Sequence, residues 1–333
     1  MRYPVMLLAG LCLAACATPQ VQVTAAGGRT PELLAERVIM DDGYTLPLMR
    51  WQPESVPRAI VLALHGFNDY RKAFATTGEF LAAHGILTYA YDQRGFGETA
   101  QRGLWPGTRR LQDDARFMLA LLRAKHPQVP LYLLGDSMGS AVVLSLMNDM
   151  TAAPVDGVVL VAPAVWGWQA MPLWQRVSLW LGAHTVPARN VTGEGLDIMA
   201  SDNIEMLRAL GRDPLVIKET RIDAIYGLTD LMGNALLASP QLTTPALILY
   251  GERDEIIPRR PVCMMLDTLP VPPDGHWRLI LYPEGYHMLT RDLQAEVVLA
   301  DIATWLLDQH TPLPSGCEVS SPRAREQLLC TDR

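Results

Sequence analysis

One stretch constrains this chain more than any other: Tyr132-Leu133-Leu134-Gly135-Asp136-Ser137-Met138-Gly139-Ser140. An apolar strand runs into G-x-S-x-G and then into a helix rich in Ala, Val and Leu, spanning residues 141–147. A serine at such a strand-to-helix turn sits on strained backbone, its Oγ held clear of the sheet, in the geometry called a nucleophile elbow. Gly135 and Gly139 are read as the residues that let strand and helix approach closely. The helix N-terminus offers partial positive charge to an oxyanion developing at Ser137. The pentapeptide alone is a weak signal that a chance Gly/Ser turn can mimic. The strand before it and the helix after it give it weight.

Strands and helices alternate on both sides of this turn. Residues 37–40 and 46–51 flank Asp41-Asp42-Gly43, a hairpin-like turn. Residues 59–64 form a continuous apolar run, as in a strand buried on both faces. Further strands are expected at 86–91, 131–134, 158–161, 246–250 and 279–282, with helices at 73–84, 111–125 and 292–309. This order implies an α/β architecture with a mostly parallel central sheet flanked by helices. The alternation breaks between residues 165 and 238, which hold Trp166, Trp168, Trp174 and Trp180, half of the eight tryptophans. Helical patterns recur there near 171–182, 202–210 and 221–238, the second opened by an Asp202–Glu205 capping box. The stretch reads as an inserted helical cap over the C-terminal edge of the sheet. The core is then residues 35–164 and 239–310, followed by a tail at 311–333.

A chain of 333 residues, 49% of them hydrophobic, can bury a large core, either as one α/β domain with an insertion or as two domains. The net charge of -7 without a basic block argues against nucleic acid as a partner. At the N-terminus, Met1-Arg2 precedes an apolar run, Val5 to Ala15, too short to span a bilayer comfortably. It ends Leu13-Ala14-Ala15-Cys16, a secretory leader with small residues at the cleavage site. Residues 17–34 read as a flexible tether. Of the remaining cysteines, Cys317 and Cys330 bracket a polar tail that a disulfide between them would staple in an oxidising compartment. Cys263 reads as a buried small hydrophobe in a helix. The spacing does not suggest a metal site.

An elbow serine needs a base, and the base needs an orienting acid. His287 alone among seven histidines follows the last strand. His276 precedes that strand; His84, His126 and His310 lie at helix ends, and His184 lies in the cap. Glu252, Asp254 and Glu255 all follow the 246–250 strand as acid candidates. Open α/β sheets build sites at the carboxyl ends of their strands, so these loops converge on one edge. The oxyanion hole needs two backbone N–H groups, one from Met138 and one from the loop His65-Gly66-Phe67-Asn68-Asp69, with Phe67 the chosen donor. His65 reads as structural. Asp92-Gln93-Arg94-Gly95-Phe96-Gly97 lacks the Lys-Ser/Thr ending of a phosphate loop and reads as a tight scaffold turn, with Asp92 and Arg94 paired.

His65-Gly66-Phe67, Asp92-x-Arg94-Gly95-x-Gly97, Gly135-Asp136-Ser137-Met138-Gly139, Gly251-x-x-Asp254 and Gly285-x-His287 occur in order. In these motifs the chain resembles the α/β-hydrolase superfamily, and within it the monoacylglycerol lipase and lysophospholipase-like group, also described as serine aminopeptidase-like, across residues 35–310. Asp213-Pro214-Leu215 also looks like this group. The resemblance implies an α/β-hydrolase fold with a helical cap and selects Asp254 as the acid. It implies acyl transfer to Ser137 with no metal or organic cofactor. Two departures stand out: Phe67-Asn68-Asp69-Tyr70 replaces the group's usual Gly and acidic-His continuation, and Glu98-Thr99 follows the Gly-x-Gly turn in place of Ser. The first makes the lipase substrate less secure than the hydrolase chemistry. Leu13-Ala14-Ala15-Cys16 in turn resembles the lipobox of bacterial lipoproteins. That likeness implies a diacylated Cys16 as the new N-terminus and, with Ala17 after it, an outer-membrane location facing the periplasm.

The expected chemistry is hydrolysis of carboxylic esters of monoacylglycerol or lysophospholipid type. Small-ester or peptide hydrolysis on the same triad is the alternative, and a non-catalytic envelope lipoprotein is the rival from another class. The cap tryptophans fit an apolar acyl chain and fit plain helix packing equally well.

Overall fold

A computed structural model describes residues 17–147, 155–193, 195, 197–270, 276–320, 326–328 and 330. The expected leader and Cys16 lie outside the described residues. The chain forms strands β1 (Glu32–Leu33), β2 (Arg37–Ile39), β3 (Thr45–Trp51), β4 (Ala59–Leu64), β5 (Ile86–Tyr91), β6 (Leu131–Asp136) and β7 (Gly157–Val161). Two short strands, β8 (Asn190–Val191) and β9 (Thr220–Arg221), pair by themselves in the insertion. β10 (Ala246–Gly251), β11 (Trp277–Tyr282) and β12 (Glu318–Val319) complete the set. The ten-stranded sheet runs β1-β2-β3-β5-β4-β6-β7-β10-β11-β12. Pairing is parallel from β5 through β11 and antiparallel at both edges.

Every residue of β4, β5, β6, β7 and β10 is buried, which explains their unbroken apolar runs. Side chains alternate between two faces. Ile60, Leu62 and Leu64 of β4 join one apolar cluster, with α2 (Thr108–Lys125), α3 (Met138–Leu146) and α7 (Arg259–Thr268). Ala59, Val61 and Ala63 join the other, with α1 (Ala75–Ala83) and α8 (Ala295–Leu307).

The insertion contains α4 (Leu173–Thr185), α5 (Ile204–Arg212) and α6 (Ile222–Ala238). α6 packs along α3, the helix that follows the elbow, so the last cap helix is also a core helix. The expected capping box does not form. Asn203 caps α5 by accepting from the Met206 N–H at 3.1 Å, while Asp202 accepts from the Leu293 N–H at 2.8 Å.

Both ends of the described chain depart from expectation. The segment expected as a flexible tether is laid against the cap and core. Ala17 N–H donates to the His184 carbonyl at 3.0 Å, Gln22 N–H donates to the Trp105 carbonyl at 2.8 Å, and Glu32–Leu33 enters the sheet. At the other end Glu318–Val319 pairs with β11, and Leu328 is buried in the core.

The expected Cys317–Cys330 bridge is not the one formed. Cys330 bonds Cys263 of α7, with Cα atoms 5.7 Å apart, and Cys317 is free. The sheet explains this. Cys317 packs with the cluster on the α1/α8 face, whereas Cys263 and Cys330 pack with the cluster on the α2/α3 face.

Candidate active site

Ser137 stands between β6 and α3 with φ 53° and ψ −111°. A non-glycine residue reaches this region only where its surroundings hold it. Those restraints are visible. Ser137 N–H donates to the Val161 carbonyl at 2.9 Å, and its own carbonyl accepts from Ala164 N–H at 3.2 Å. The two motif glycines are required sterically. A Cβ on Gly135 would lie 2.3 Å from the Ser140 nitrogen, and one on Gly139 would lie 1.9 Å from the Leu64 carbonyl oxygen.

The loops after β10 and β11 touch each other. Glu252 N–H donates to the Tyr282 carbonyl and Arg253 N–H to the Gly285 carbonyl, both at 3.0 Å. This brings Asp254 Oδ2 within 2.8 Å of His287 Nδ1, and His287 Nε2 within 2.9 Å of Ser137 Oγ. Asp254 Oδ1 is occupied by the N–H groups of Ile256 and Ile257, at 2.8 and 2.9 Å. The carboxylate is thereby fixed for one bond to the imidazole. With Nδ1–H donating to Asp254, Nε2 is left to accept the Ser137 hydroxyl proton. Glu255 is used elsewhere, accepting from the Met199 N–H at 2.7 Å. Burial works against charge on His287. The Asp254 carboxylate and its hydrogen bond more than offset that, so the imidazole pKa is raised above 6.5.

His65 is structural, as its sequence context suggested. Its Nε2 accepts from the Gln93 N–H at 2.9 Å, so Nδ1–H donates to the Gly66 carbonyl at 2.8 Å. Burial pushes its pKa down, which keeps it neutral. Phe67 and Met138, the expected oxyanion donors, both line the cavity beside Ser137. Met138 is the first residue of α3, where a backbone N–H has no helical acceptor. The expected Asp92–Arg94 pair does not form: Asp92 binds Arg71, and Arg94 binds Asp42 and Asp114.

The cavity over Ser137 measures about 350 Å³. Its walls are mainly apolar: Trp166 and Met171 before α4, Ile225, Leu228 and Met232 of α6, Ile256 and Ile257 of the acid loop, and Met288. Against these stand Asp69, Asp136 and Arg291. Arg291 Nη1 donates to Asp69 Oδ2 at 2.8 Å, its Nη2 lies 3.9 Å from Asp136 Oδ2, and its Nε has no partner. Asp69 and Arg291 also border a second cavity of about 400 Å³, so the polar group stands where the two meet. Burial pushes the Asp136 carboxyl up, against the pull of Arg291 and His287.

Asp69 and Arg291 were not among the expected site residues, though the departure at Phe67-Asn68-Asp69-Tyr70 marked the right loop. That departure ties the loop to the cap. Asn68, at φ 67°, donates to Thr220 Oγ1 at 2.7 Å, and Tyr70 OH donates to Asp213 at 2.6 Å. The base loop is likewise tied to the cap. Met288 N–H donates to the Ala200 carbonyl at 3.0 Å, and Ser201 Oγ donates to Asp292 at 2.6 Å. Among the described residues no group of three or more His, Cys, Asp or Glu is placed to hold a metal ion.

Comparison with known proteins gives the same grouping. The chain is 27% identical over 265 residues to a monoacylglycerol lipase of Mycolicibacterium smegmatis, covering 77% of this chain and 91% of that protein. It is 23% identical over 281 residues to a monoglyceride lipase of Mus musculus, covering 83% and 91%. Among solved structures, a soluble variant of monoglyceride lipase from Saccharomyces cerevisiae superposes with a TM-score of 0.69 at 21% identity, covering 89% of this chain and 99% of that one. A monoacylglycerol lipase from Paleococcus ferrophilus superposes with a TM-score of 0.67 at 20% identity, covering 80% and 99%. These likenesses show the α/β-hydrolase fold. The match to a family description reaches further, covering residues 55–294 and so the elbow, both triad loops and the insertion. On that match the chain belongs to the family described as serine aminopeptidase, S33.

Proposed function

We propose that this chain is a serine hydrolase of carboxylic esters, of the monoacylglycerol or lysophospholipid type, working through an acyl-enzyme on Ser137. The observation that carries this reading is His287 bridging Ser137 Oγ and Asp254 at the floor of an apolar cavity. His287 Nε2 takes the Ser137 proton as Oγ attacks the ester carbonyl. The N–H groups of Met138 and Phe67 hold the oxyanion. As the tetrahedral intermediate collapses, the C–O bond to the alcohol breaks and His287 returns its proton to the leaving oxygen. Water, deprotonated by His287, then attacks the acyl carbon and releases the acid and Ser137.

The apolar walls suit an acyl chain, and the Asp69–Arg291 pair offers a polar face to a glycerol or phosphorylated head group. Relatives named monoacylglycerol lipase support the same substrate class. A peptidase reading is favoured by the family description. It needs a carboxylate free to take a substrate ammonium. Asp69 is already paired with Arg291, and burial moves Asp136 toward its neutral form, so the ester is preferred.

The same proposal gives Cys16 a lipid anchor that holds the enzyme at the outer membrane, facing the periplasm. The lipobox-like sequence supports it, as does the Cys263–Cys330 disulfide, which suits an oxidising compartment.

The test is initial hydrolysis rates across esters from acetyl to palmitoyl, with Ser137→Ala as the blank. Wild type is expected to peak at medium or long chains, and Ser137→Ala to lose on the order of a millionfold in turnover. A peak at acetyl moves the substrate to small esters. Near-normal turnover by Ser137→Ala removes the mechanism.

A further inference from the structure

The residues that follow Cys16 are docked on the cap. Ala17 N–H donates to the carbonyl of His184, in the last turn of α4. Gln20 N–H donates to Asp223 at 3.2 Å, Arg221 donates to the Gln20 side chain at 2.9 Å, and Gln22 is held by Trp105 and Leu104. Ala17, the residue covalently joined to Cys16, is therefore held at the end of α4.

α4 is unusual for what it leaves uncovered. Leu173 and Trp174 are 71% and 68% exposed, and Val177, Trp180 and Leu181 are about half exposed. Their spacing puts them on one side of the helix. Met171, just before α4, lines the catalytic cavity. At the far end His184 stacks on Trp180 with ring centroids 4.4 Å apart. The apolar stripe therefore starts at the cavity wall and ends, about 20 Å away along α4, at the residue that holds Ala17. Charge agrees with this arrangement. Residues 165–193 contain no Asp or Glu but contain Arg176 and Arg189, in a chain of net charge -7.

We propose that residues 17–22 are a strap that sets the acylated Cys16 beside the α4 stripe, so that anchor and stripe enter the same anionic lipid leaflet and the catalytic cavity faces it. The proposal rests on the lipid anchor put forward above. Where the strap ends fixes the occupant: the acyl chains are in the leaflet, and Ala17, next in sequence to their attachment point, is held by α4. Exposed tryptophans on a helix free of acidic residues suit the interface of such a leaflet.

The test uses the full-length acylated protein on phosphatidylethanolamine/phosphatidylglycerol vesicles carrying brominated lipids. Tryptophan quenching is expected, with most of it lost in Trp174→Phe/Trp180→Phe. A flexible Gly/Ser insertion between Ala17 and Thr18 frees the anchor from the strap. It is expected to lose this quenching and about tenfold of the rate on vesicle-borne monoacylglycerol, because effective concentration falls with linker length. The same insertion between Thr24 and Ala25, beyond the strap, is expected to keep both. Quenching does not depend on turnover, so an inactive protein that still shows this asymmetry overturns the hydrolase reading and leaves the strap standing. A Cys16 without acyl chains in mass spectrometry overturns anchor and strap together. Equal behaviour of the two insertions overturns the strap alone, as does a stripe shielded from bromine by a second copy or another protein.

Discussion

Two arginines divide the polar interior of this protein, Arg94 buried and Arg291 partly buried at a cavity wall. Arg94 makes four hydrogen bonds to two carboxylates, at 3.0 and 3.0 Å to Asp114 and 2.7 and 3.2 Å to Asp42, and its guanidinium lies 3.8 Å from the centre of the Tyr44 ring. Arg110 joins the group through Asp41 and Asp114. Arg291 has one good partner, Asp69, a distant one in Asp136, and an Nε with none. Arg94 belongs to the framework that ties the β2–β3 turn to α2, and it does not line the cavity over Ser137. Arg291 lines the catalytic cavity and keeps donor capacity in reserve. A fully satisfied buried network holds a fold together, whereas a partly satisfied one beside a cavity is a place for a ligand's oxygens.

The sharpest way to break this contrast is to remove each guanidinium. Arg94→Met leaves Asp42 and Asp114 buried beside a single remaining cation. The expected loss is about 3–5 kcal/mol in urea unfolding, the usual cost of breaking a buried pair from one side. Replacing both carboxylates by Leu in the same variant is expected to restore much of it. Among folded molecules the ester rate should hold, because Arg94 touches nothing at Ser137.

Arg291→Met reverses the pattern. The expected stability loss is smaller than for Arg94→Met, since one well-formed ion pair is broken and not two. The specificity constant for monoacylglycerol is expected to fall about tenfold, mostly through KM, as befits lost binding of a polar head. A small ester lacking that head should lose less. Equal stability losses in the two variants, or equal losses on both substrates, would show the contrast to be false.

Much of the site was legible because its chemistry is local. Ser137, Asp254 and His287 each follow a strand, and parallel strands bring their carboxyl ends to one edge whatever fills the rest of the chain. The mostly parallel sense of the central sheet and the glycines of the elbow follow from the same regularity. What was not legible depends on partners distant in sequence. Asp92 and Arg94 are two residues apart, yet they point to Arg71 and to Asp42 and Asp114 respectively. Cys317 and Cys330 looked like a pair by proximity in sequence. β12 then fixes Cys317 on one face of the sheet while the tail carries Cys330 to α7 on the other. Arg291 lies four residues beyond His287 and carried no motif. Its role comes from Asp69, 222 residues away.

The smallest expected effect is also the most selective. As a base His287 must be neutral, so kcat/KM on a soluble ester should rise with pH along an acid limb set by the imidazole. That limb should lie above 6.5, because Asp254 raises the His287 pKa beyond what burial takes away. The sign for stability is opposite. A raised pKa in the folded state adds stability below the ordinary histidine value and loses it as pH rises through the raised value, so activity appears over the window in which this contribution fades. Arg291 is a positive charge that holds the His287 pKa down. Arg291→Met should therefore move the acid limb to higher pH, and Arg94→Met should leave it in place. A limb that moves equally in both variants would mean that the two arginines act on His287 alike, through the fold as a whole and not through the field inside the cavity.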